Sequence, residues 1–167
     1  IEFKKPMKVL STLEGERSNI ECVGNHGSPP PCWSISHRLG FENYRTRICR
    51  VVGKPHERSS FLMTGADMDN LVVRRAGFKD QFVYALVTAG VRGNAVRMSS
   101  DEGLFHEPGT INIIVLANAR LTARARARAV ISATEAKTAA LQDMDIRSGG
   151  NPLKWQATGT GTDEMII

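Results

Sequence analysis

The segments GTINIIVLANARLT at 109–122, ATEAKTAAL at 133–141 and ATGTGTDEMII at 157–167 decide the fold. They predict an apolar strand, a long helix and a second strand, joined by turns rich in glycine and threonine. Polar residues that a core does not need are set into this frame, and buried polar groups are costly without partners. These residues are Asn112, Glu135, Lys137, Thr138, Thr160, Thr162 and Asp163. Their grouping indicates a functional site.

The length and composition are those of one globular domain. The chain has 167 residues, of which 41% are apolar and 23% charged, and a net charge of +5. This length predicts a single domain over residues 1–167 with a core of its own. No apolar run approaches the roughly 20 residues of a membrane span, so none is predicted. Aromatic residues make up only 6% and are not interleaved with basic ones, which argues against nucleic-acid binding.

The cysteines and the sequence motifs limit which compartment and which cofactors are expected. Cys22, Cys32 and Cys49 cannot form a fully paired disulfide framework, so we expect a reducing cytoplasm. Cys22, His26 and Cys32 lie close in sequence, but their spacing matches no standard zinc set, and no metal site is predicted. No phosphate-loop or dinucleotide motif is present, so no cofactor is predicted. The oligomeric state stays open, a homo-oligomer included.

The rest of the chain predicts an α/β (or α+β) domain, with a mixed β-sheet flanked by a few helices. Strands are expected at 8–11, 20–24, 61–64, 82–88, 111–116 and from 165 onward. The near-continuous apolar run at 82–88 predicts a strand that is covered on both faces. The three prolines at 29–31 predict an irregular loop, and 33–52 is expected to be partly helical. Polar loops are expected at 99–108 and 148–152.

The long helix predicted at about 122–143, with Thr122 as its cap, carries one cation on its apolar side. On a helical wheel the apolar arc consists of Ala129, Val130, Ile131, Ala133, Ala136, Ala140 and Leu141. Lys137 falls within this arc, whereas Glu135 lies on the polar side. Because a buried unpaired ammonium costs several kcal/mol, Lys137 must pair with a carboxylate, meet a ligand or extend to solvent. We expect low exposure and a carboxylate partner, Asp163 or Asp67.

One short pattern occurs twice, as Thr64-Gly65-Ala66-Asp67 after one strand and as Thr160-Gly161-Thr162-Asp163 before another. Glycine lets backbone N–H groups approach a ligand, and threonine adds a hydroxyl. If the two loops lie on neighbouring strands, they supply paired acids and donors for an oxyanion in one cleft. The alternative is two unrelated turns in which aspartate is a cap. His26, next to Asn25, is a separate candidate base.

These segments resemble the adenosylcobinamide amidohydrolase (CbiZ) family. The resemblance depends on residues 109–113, 133–141 and 157–163, with weaker support from 23–26, 62–67, 87–91 and 93–94. It implies hydrolysis of the amide between the aminopropanol arm and the corrin ring of adenosylcobinamide, giving adenosylcobyric acid in corrinoid salvage. The cobalt corrinoid is then the substrate, with no further cofactor. Family members generally continue into a glycine-rich segment with a His-Thr-Lys-like motif and a final helix, whereas this chain stops at Ile167.

For such a hydrolysis we predict His26 or Asp163 as the base and Lys137 as an electrostatic stabiliser. The predicted substrate-binding residues are Asn25, Thr64, Asp67, Thr88, Asn94, Thr110, Asn112, Glu135, Thr160 and Thr162. Two alternatives remain open. One is a non-catalytic corrinoid-binding protein, a sensor or a carrier. The other is an enzyme that acts on another amide or on a phosphorylated metabolite.

Overall fold

A computed structural model describes residues 1–98, 109–150 and 153–167. The strands are β1 (Glu2–Ser11), β2 (Gly15–Gly27), β3 (Ser59–Thr64), β4 (Val72–Phe78), β5 (Gln81–Ala89), β6 (Ala95–Val96), β7 (Ile111–Ala117), β8 (Gly159–Thr160) and β9 (Glu164–Ile166). The helices are α1 (Pro30–Leu39), α2 (Phe41–Val52) and α3 (Ala123–Asp143), with short 3-10 turns at His56–Arg58 and Met68–Asn70. The loop predicted at 99–108 and the end of the one predicted at 148–152 lie outside the described residues.

Seven strands form one mixed sheet in the order β3-β2-β1-β9-β7-β5-β4, and β6 pairs with β8 in a separate ribbon. The β2–β3 and β7–β9 pairs are parallel, whereas β1–β2, β1–β9, β4–β5 and β5–β7 are antiparallel. The predicted fold class is therefore confirmed: a single α/β domain with a mixed sheet and, in the described part of the chain, three helices. None of these helices is long and apolar enough to cross a membrane.

The large sheet folds over itself, so that β3 lies opposite β7 and β9. The core between the two halves of the sheet consists of Val9, Ile20, Val23, Leu62, Ile114 and Ile166. Helix α2 packs on the outer side of the β2–β3 half, where Tyr44 and Ile48 meet Cys22 and Phe61. Helix α3 packs on the outer side of the β7–β9 half, around Leu141. Buried apolar surface on both sides of each half-sheet thus holds the layers together.

Helix α3 confirms the predicted helix, and Thr122 caps it by accepting a hydrogen bond from Ala125 N at 3.2 Å. Its buried side differs from the wheel in part. Residues of the predicted apolar arc that are exposed are Ile131, Ala136 and Ala140. Arg126 is buried instead, because it pairs with Glu16 and donates to a backbone carbonyl at the start of the helix. Because the apolar side of α3 is small, the ion pair and hydrogen bond of Arg126 help to decide which side of the helix is buried.

Two predictions about strands are wrong. The run at 82–88 is a strand, but it is covered on both faces only near its end, where Leu86 packs on the core between the half-sheets and Val87 on the α3 side, whereas Val83 and Tyr84 are exposed. Its neighbour β4 is exposed along its whole length. β4 and β5 form one end of the sheet, and the described residues leave most of that end open. The first two strands are also longer than predicted, so that His26 lies inside β2 rather than after it.

The prolines at 29–31 do not form a loop throughout, since α1 already begins at Pro30. Proline is tolerated in the first turn of a helix, where the backbone N–H has no partner within the helix. Gly53, by contrast, ends α2 in a left-handed conformation with φ of 74°.

Candidate active site

Asp163 is the centre of a hydrogen-bonded cluster at the start of β9. Its Oδ1 accepts from Ile111 N at 3.0 Å and from Thr160 Oγ1 at 2.5 Å. Its Oδ2 accepts from Thr160 N at 3.0 Å and from Lys137 Nζ. The side chains of Lys137 and Asp163 are only 11% and 10% exposed. The expectation that Lys137 is buried beside a carboxylate is therefore confirmed, with Asp163 as the partner.

Gly159 permits the close packing of this cluster. A Cβ atom at Gly159 would collide with Asp163 Oδ2 and would lie 2.6 Å from Lys137 Nζ. The loop after it is fixed by its own threonines, because Thr162 N donates to Thr160 Oγ1 at 3.3 Å. Here the Gly/Thr composition has a structural reason: glycine makes room for the ion pair, and threonine supplies its hydrogen bonds.

A second group of predicted residues extends the cluster toward β7. Thr110 Oγ1 donates to the backbone oxygen of Thr162, and Thr162 Oγ1 donates to Gly109 O at 3.2 Å. Asn94 Nδ2 donates to the same oxygen of Gly109. A side chain at Gly109, whose φ is +151°, would also meet Gly90 O at 2.5 Å. Asn94, Thr110 and Thr162 thus lie in one network with the Lys137–Asp163 pair.

A further polar chain crosses the space between the two halves of the sheet. Asn112 Nδ2 donates to Asn25 Oδ1 at 2.8 Å and to Met63 O at 2.9 Å. Asn25 Nδ2 in turn donates to Thr88 Oγ1 at 2.8 Å. Asn112 and Thr88 are each 1% exposed. Three predicted residues from three strands therefore form one buried network, the kind of arrangement that is costly unless its members are hydrogen-bonded.

Glu164 is a residue of this region that the sequence prediction did not include. It is the register partner of Asn112 on the neighbouring strand. The backbone of Met63 lies beside its carboxylate and lowers its pKa. Glu164 Oε2 and Asn112 Oδ1 are both enclosed, and neither has a hydrogen-bond partner among the described residues.

Burial raises the pKa of Glu164 to about 7, well above the usual value of a glutamic acid. The hydrogen bond from Met63 and the charge of Arg45 act in the opposite direction, and the charge of Glu14 adds to the rise. One sequence signal was available: an acidic residue opens the apolar strand at 164–167. A charged group at the start of a buried strand is worth testing as a functional group.

The two Thr-Gly-x-Asp loops differ in structure. Thr64 is buried, and its Oγ1 accepts from Ala66 N at 2.9 Å. Asp67 is exposed and accepts from Asp69 N at 3.0 Å, as the cap of a 3-10 turn. In this first loop the aspartate is therefore a cap, the alternative weighed above, and it forms no pair with the acid of the second loop.

The expectation that the two loops lie on neighbouring strands is wrong, because β2 and β1 separate β3 from β9 in the sheet. The loops still come close, since the folded sheet brings Met63 against Glu164. Met63 precedes Thr64, and Glu164 follows Asp163. Sheet curvature, not strand order, brings the two segments together.

A family model described as adenosylcobinamide amidohydrolase matches residues 1–167. The chain belongs to this family. A protein of Methanosarcina mazei named adenosylcobinamide amidohydrolase is 37% identical over 170 residues, which cover 99% of this chain and 70% of that protein. An uncharacterised protein of Methanocaldococcus jannaschii is 40% identical over 185 residues, with 100% of this chain and 71% of that protein covered. No solved structure matches the chain.

The segments that carry the resemblance to the amidohydrolase family meet at one end of the folded sheet. Residues 109–113 supply Asn112, 133–141 supply Lys137, and 157–163 supply Asp163. Backbone and side-chain hydrogen bonds join all three segments, through Ile111 N, Lys137 Nζ and the carboxylate of Asp163. The family pattern thus corresponds to a physical cluster and not only to similar turns.

Besides Asp67, the predicted site residues His26 and Glu135 also lie apart from this cluster. The ring of His26 packs edge-on against Tyr44 of α2 at 5.8 Å between centroids, and its Nδ1 is 3.1 Å from Ser28 Oγ. Burial lowers the pKa of His26, because it disfavours the charged ring. Glu135 is exposed on α3. Within the described ranges, no group of three His, Cys, Asp or Glu side chains could hold a metal ion.

Proposed function

We propose that this protein hydrolyses the amide between the aminopropanol arm and the corrin ring of adenosylcobinamide, in corrinoid salvage. Membership of the amidohydrolase family supports this reaction, as does the name of the Methanosarcina mazei relative. The observation that carries the proposal is the convergence of Asn25, Asn112, Lys137 and Asp163 at one end of the sheet. The corrinoid is the substrate, and no nucleotide or resident metal is required by the proposal.

Amide hydrolysis needs an activated water, a proton donor for the amine and stabilisation of an oxyanion. Lys137 is suited to the last of these tasks. Its ammonium group is held by Asp163 at low exposure, where a charge acts more strongly than in water. An ammonium group has three N–H bonds, and Asp163 accepts from it through one oxygen. The other N–H bonds would meet the oxygen of the tetrahedral intermediate.

Asp163 is better suited to positioning than to proton transfer. A carboxylate offers about four lone-pair sites, and four donors already contact the two oxygens of Asp163. Proton uptake would break one of these hydrogen bonds and leave Lys137 without its counter-charge. We therefore propose that Asp163 fixes the position of Lys137, and that the base lies elsewhere.

The proposed substrate also limits how it is bound. A corrin ring is too bulky for the narrow space between the two halves of the sheet. Asn25 and Met63 are partly exposed at the edge of that space, and Thr162 is exposed beside it. We propose that the amide arm enters here while the ring stays at the surface. The three unpaired cysteines are compatible with a reducing compartment, so we propose a cytoplasmic location.

The runner-up is a non-catalytic corrinoid-binding protein, a sensor or a carrier. One observation favours it: the carboxylate predicted as a base has no lone-pair site left for a proton. Such a protein would bind adenosylcobinamide and release it unchanged.

Incubation with adenosylcobinamide, followed by chromatography for adenosylcobyric acid and aminopropanol, tests the proposal. We expect product from the unmodified protein and at least about 100-fold less from Lys137→Met, the range for loss of one oxyanion donor. Binding without product would support the corrinoid-binding protein. If the protein neither binds adenosylcobinamide nor forms product, both the hydrolase and the corrinoid-binding protein are contradicted. Loss of turnover with a chelator, restored by zinc, would overturn the metal-free form of the proposal.

A further inference from the structure

Glu164 and Asn112 lie side by side at the polar end of the folded sheet. They are register partners on the parallel strands β9 and β7. Both side chains also face the same residue of β3, because the backbone of Met63 lies beside the Glu164 carboxylate and lowers its pKa, and Met63 O accepts from Asn112 Nδ2. The N–H and C=O groups of one residue in a strand point to the same side. The carboxylate and the amide therefore belong to neighbouring strand positions and face the backbone of the same residue, Met63.

The hydrogen bonds of Asn112 fix which of its atoms remains free. Both N–H bonds of its amide are used, one by Asn25 Oδ1 and one by Met63 O. Its Oδ1 is consequently left as an acceptor, and among the described residues no donor reaches it. Glu164 Oε2 is in the same condition, enclosed and without a donor from the described chain. Buried polar atoms of this kind are rare and call for an explanation.

Two unpaired acceptors on register partners can be satisfied by one small molecule with two donors. Water has two O–H bonds, and buried waters characteristically bond to polar groups that have no protein partner. A water bound here would donate to a carboxylate and to an amide oxygen. That arrangement also orients a lone pair of the water away from both acceptors, as nucleophilic attack requires.

We propose that Glu164 and Asn112 hold the attacking water of the hydrolysis, and that Glu164 takes its proton. This inference rests on the proposed amidohydrolase function. The water oxygen bonds to the amide carbon while one water proton passes to the carboxylate of Glu164. Collapse of the intermediate breaks the C–N bond, and the departing nitrogen takes the proton from Glu164. The products are a carboxylic acid and an amine, and Glu164 is again a carboxylate.

The electrostatic surroundings fit this exchange. Burial brings the pKa of Glu164 to about 7, so that both the acid and the base form are accessible near neutral pH. Arg45, from α2, lowers this pKa and Glu14, from the turn between β1 and β2, raises it. Lys137 and Asp163 neutralise each other as a pair next to the start of β9. The competing interpretation is that Glu164 only joins β3 to β9 through Met63.

Glu164→Gln separates these interpretations, because glutamine keeps the size of the side chain and an acceptor beside the backbone of Met63. The measurement is kcat/KM with adenosylcobinamide from pH 5 to 9. We expect a decrease of at least about 100-fold and loss of the ionisation near pH 7. Glu57→Gln removes an exposed carboxylate from the 3-10 turn at His56–Arg58 and is the matched control. It should keep both the rate and the pH profile.

A Glu164→Gln protein with the unmodified rate and pH profile would overturn the inference and leave the proposed function standing. If the unmodified protein forms no product, the proposed function is contradicted, and the inference that rests on it is contradicted too. If the glutamine variant does not fold, Glu164→Asp serves in its place. Aspartate keeps the ionisable group but withdraws it by one methylene, so we expect the pH profile to remain and the rate to fall at least about 10-fold. An unchanged rate would contradict the role of Glu164.

Discussion

The loops Thr64–Asp67 and Thr160–Asp163 have the same residue pattern and different structures. In the first, the aspartate is exposed and caps a short turn. In the second, the aspartate is 10% exposed and accepts hydrogen bonds from two backbone N–H groups, a hydroxyl and the ammonium of Lys137. The difference comes from what packs on each loop, because α3 brings Lys137 to the second. A short motif thus defines a set of donors and acceptors, and tertiary packing decides their use.

Exchange of the two aspartates for asparagine gives the largest expected contrast. Asp163→Asn leaves Lys137 buried without a counter-charge, and loss of one partner of a buried pair costs about 3–5 kcal/mol. Asp67→Asn should change the free energy of unfolding by less than about 0.5 kcal/mol, since asparagine is an equally good cap. Urea unfolding of the two variants measures both. Equal effects would mean that the two loops are equivalent after all.

The sequence indicated much of the second loop for a physical reason. Helical periodicity places Lys137 among apolar positions, and a buried cation requires a carboxylate, so that its pairing with Asp163 could be predicted. The contact between Asn25 and Asn112 joins residues 87 positions apart, and no local pattern encodes it. Glu164 was missed for the same reason, because its surroundings come from Met63 on a distant strand.

The strand predictions show the same limit. The apolar run at 82–88 correctly predicted a strand, yet β5 is covered only toward its end and exposed at its start. Composition indicates that a segment favours extended structure, but only the position in the sheet decides which faces are covered. β5 has only β4 beyond it at that end of the sheet. The curvature that brings β3 against β7 and β9 could not be read from any single segment either.

Lys137→Met tests the other half of the ion pair, with an intermediate effect on stability. Methionine preserves the apolar length of the side chain, and Asp163 keeps the donors Ile111 N, Thr160 N and Thr160 Oγ1. We expect a loss of about 1–2 kcal/mol, less than for Asp163→Asn. The decrease in turnover should be larger than the loss of folded protein can explain. Thermal unfolding and turnover on one sample test this expectation, with Lys5→Met as a control on an exposed lysine.

The residue after the second aspartate makes the stability of the protein depend on pH. The pKa of Glu164 is raised from 4.5 to about 7 in the folded state, so the folded protein binds more protons between those values. Stability should therefore be highest below pH 4.5 with respect to this group, and should fall as the pH rises toward 7. After discounting for partial exposure, we expect a loss on the order of 1 kcal/mol. Denaturant unfolding at pH 5 and pH 8 should show a smaller difference for Glu164→Gln.

The smallest expected effect concerns the cap of the first loop. Asp67→Ala removes the acceptor for Asp69 N, and the turn it caps is only three residues long, so the loss should be about 0.5 kcal/mol. Asp67→Asn should restore this loss, because the amide oxygen accepts the same hydrogen bond. Turnover is the sharper measurement, since a cap contributes nothing to proton transfer. A 100-fold decrease in Asp67→Ala, not rescued by asparagine, would show that the first carboxylate takes part in the chemistry. The two loops would then act as a pair of acids, and they would differ only in how strongly each carboxylate affects turnover.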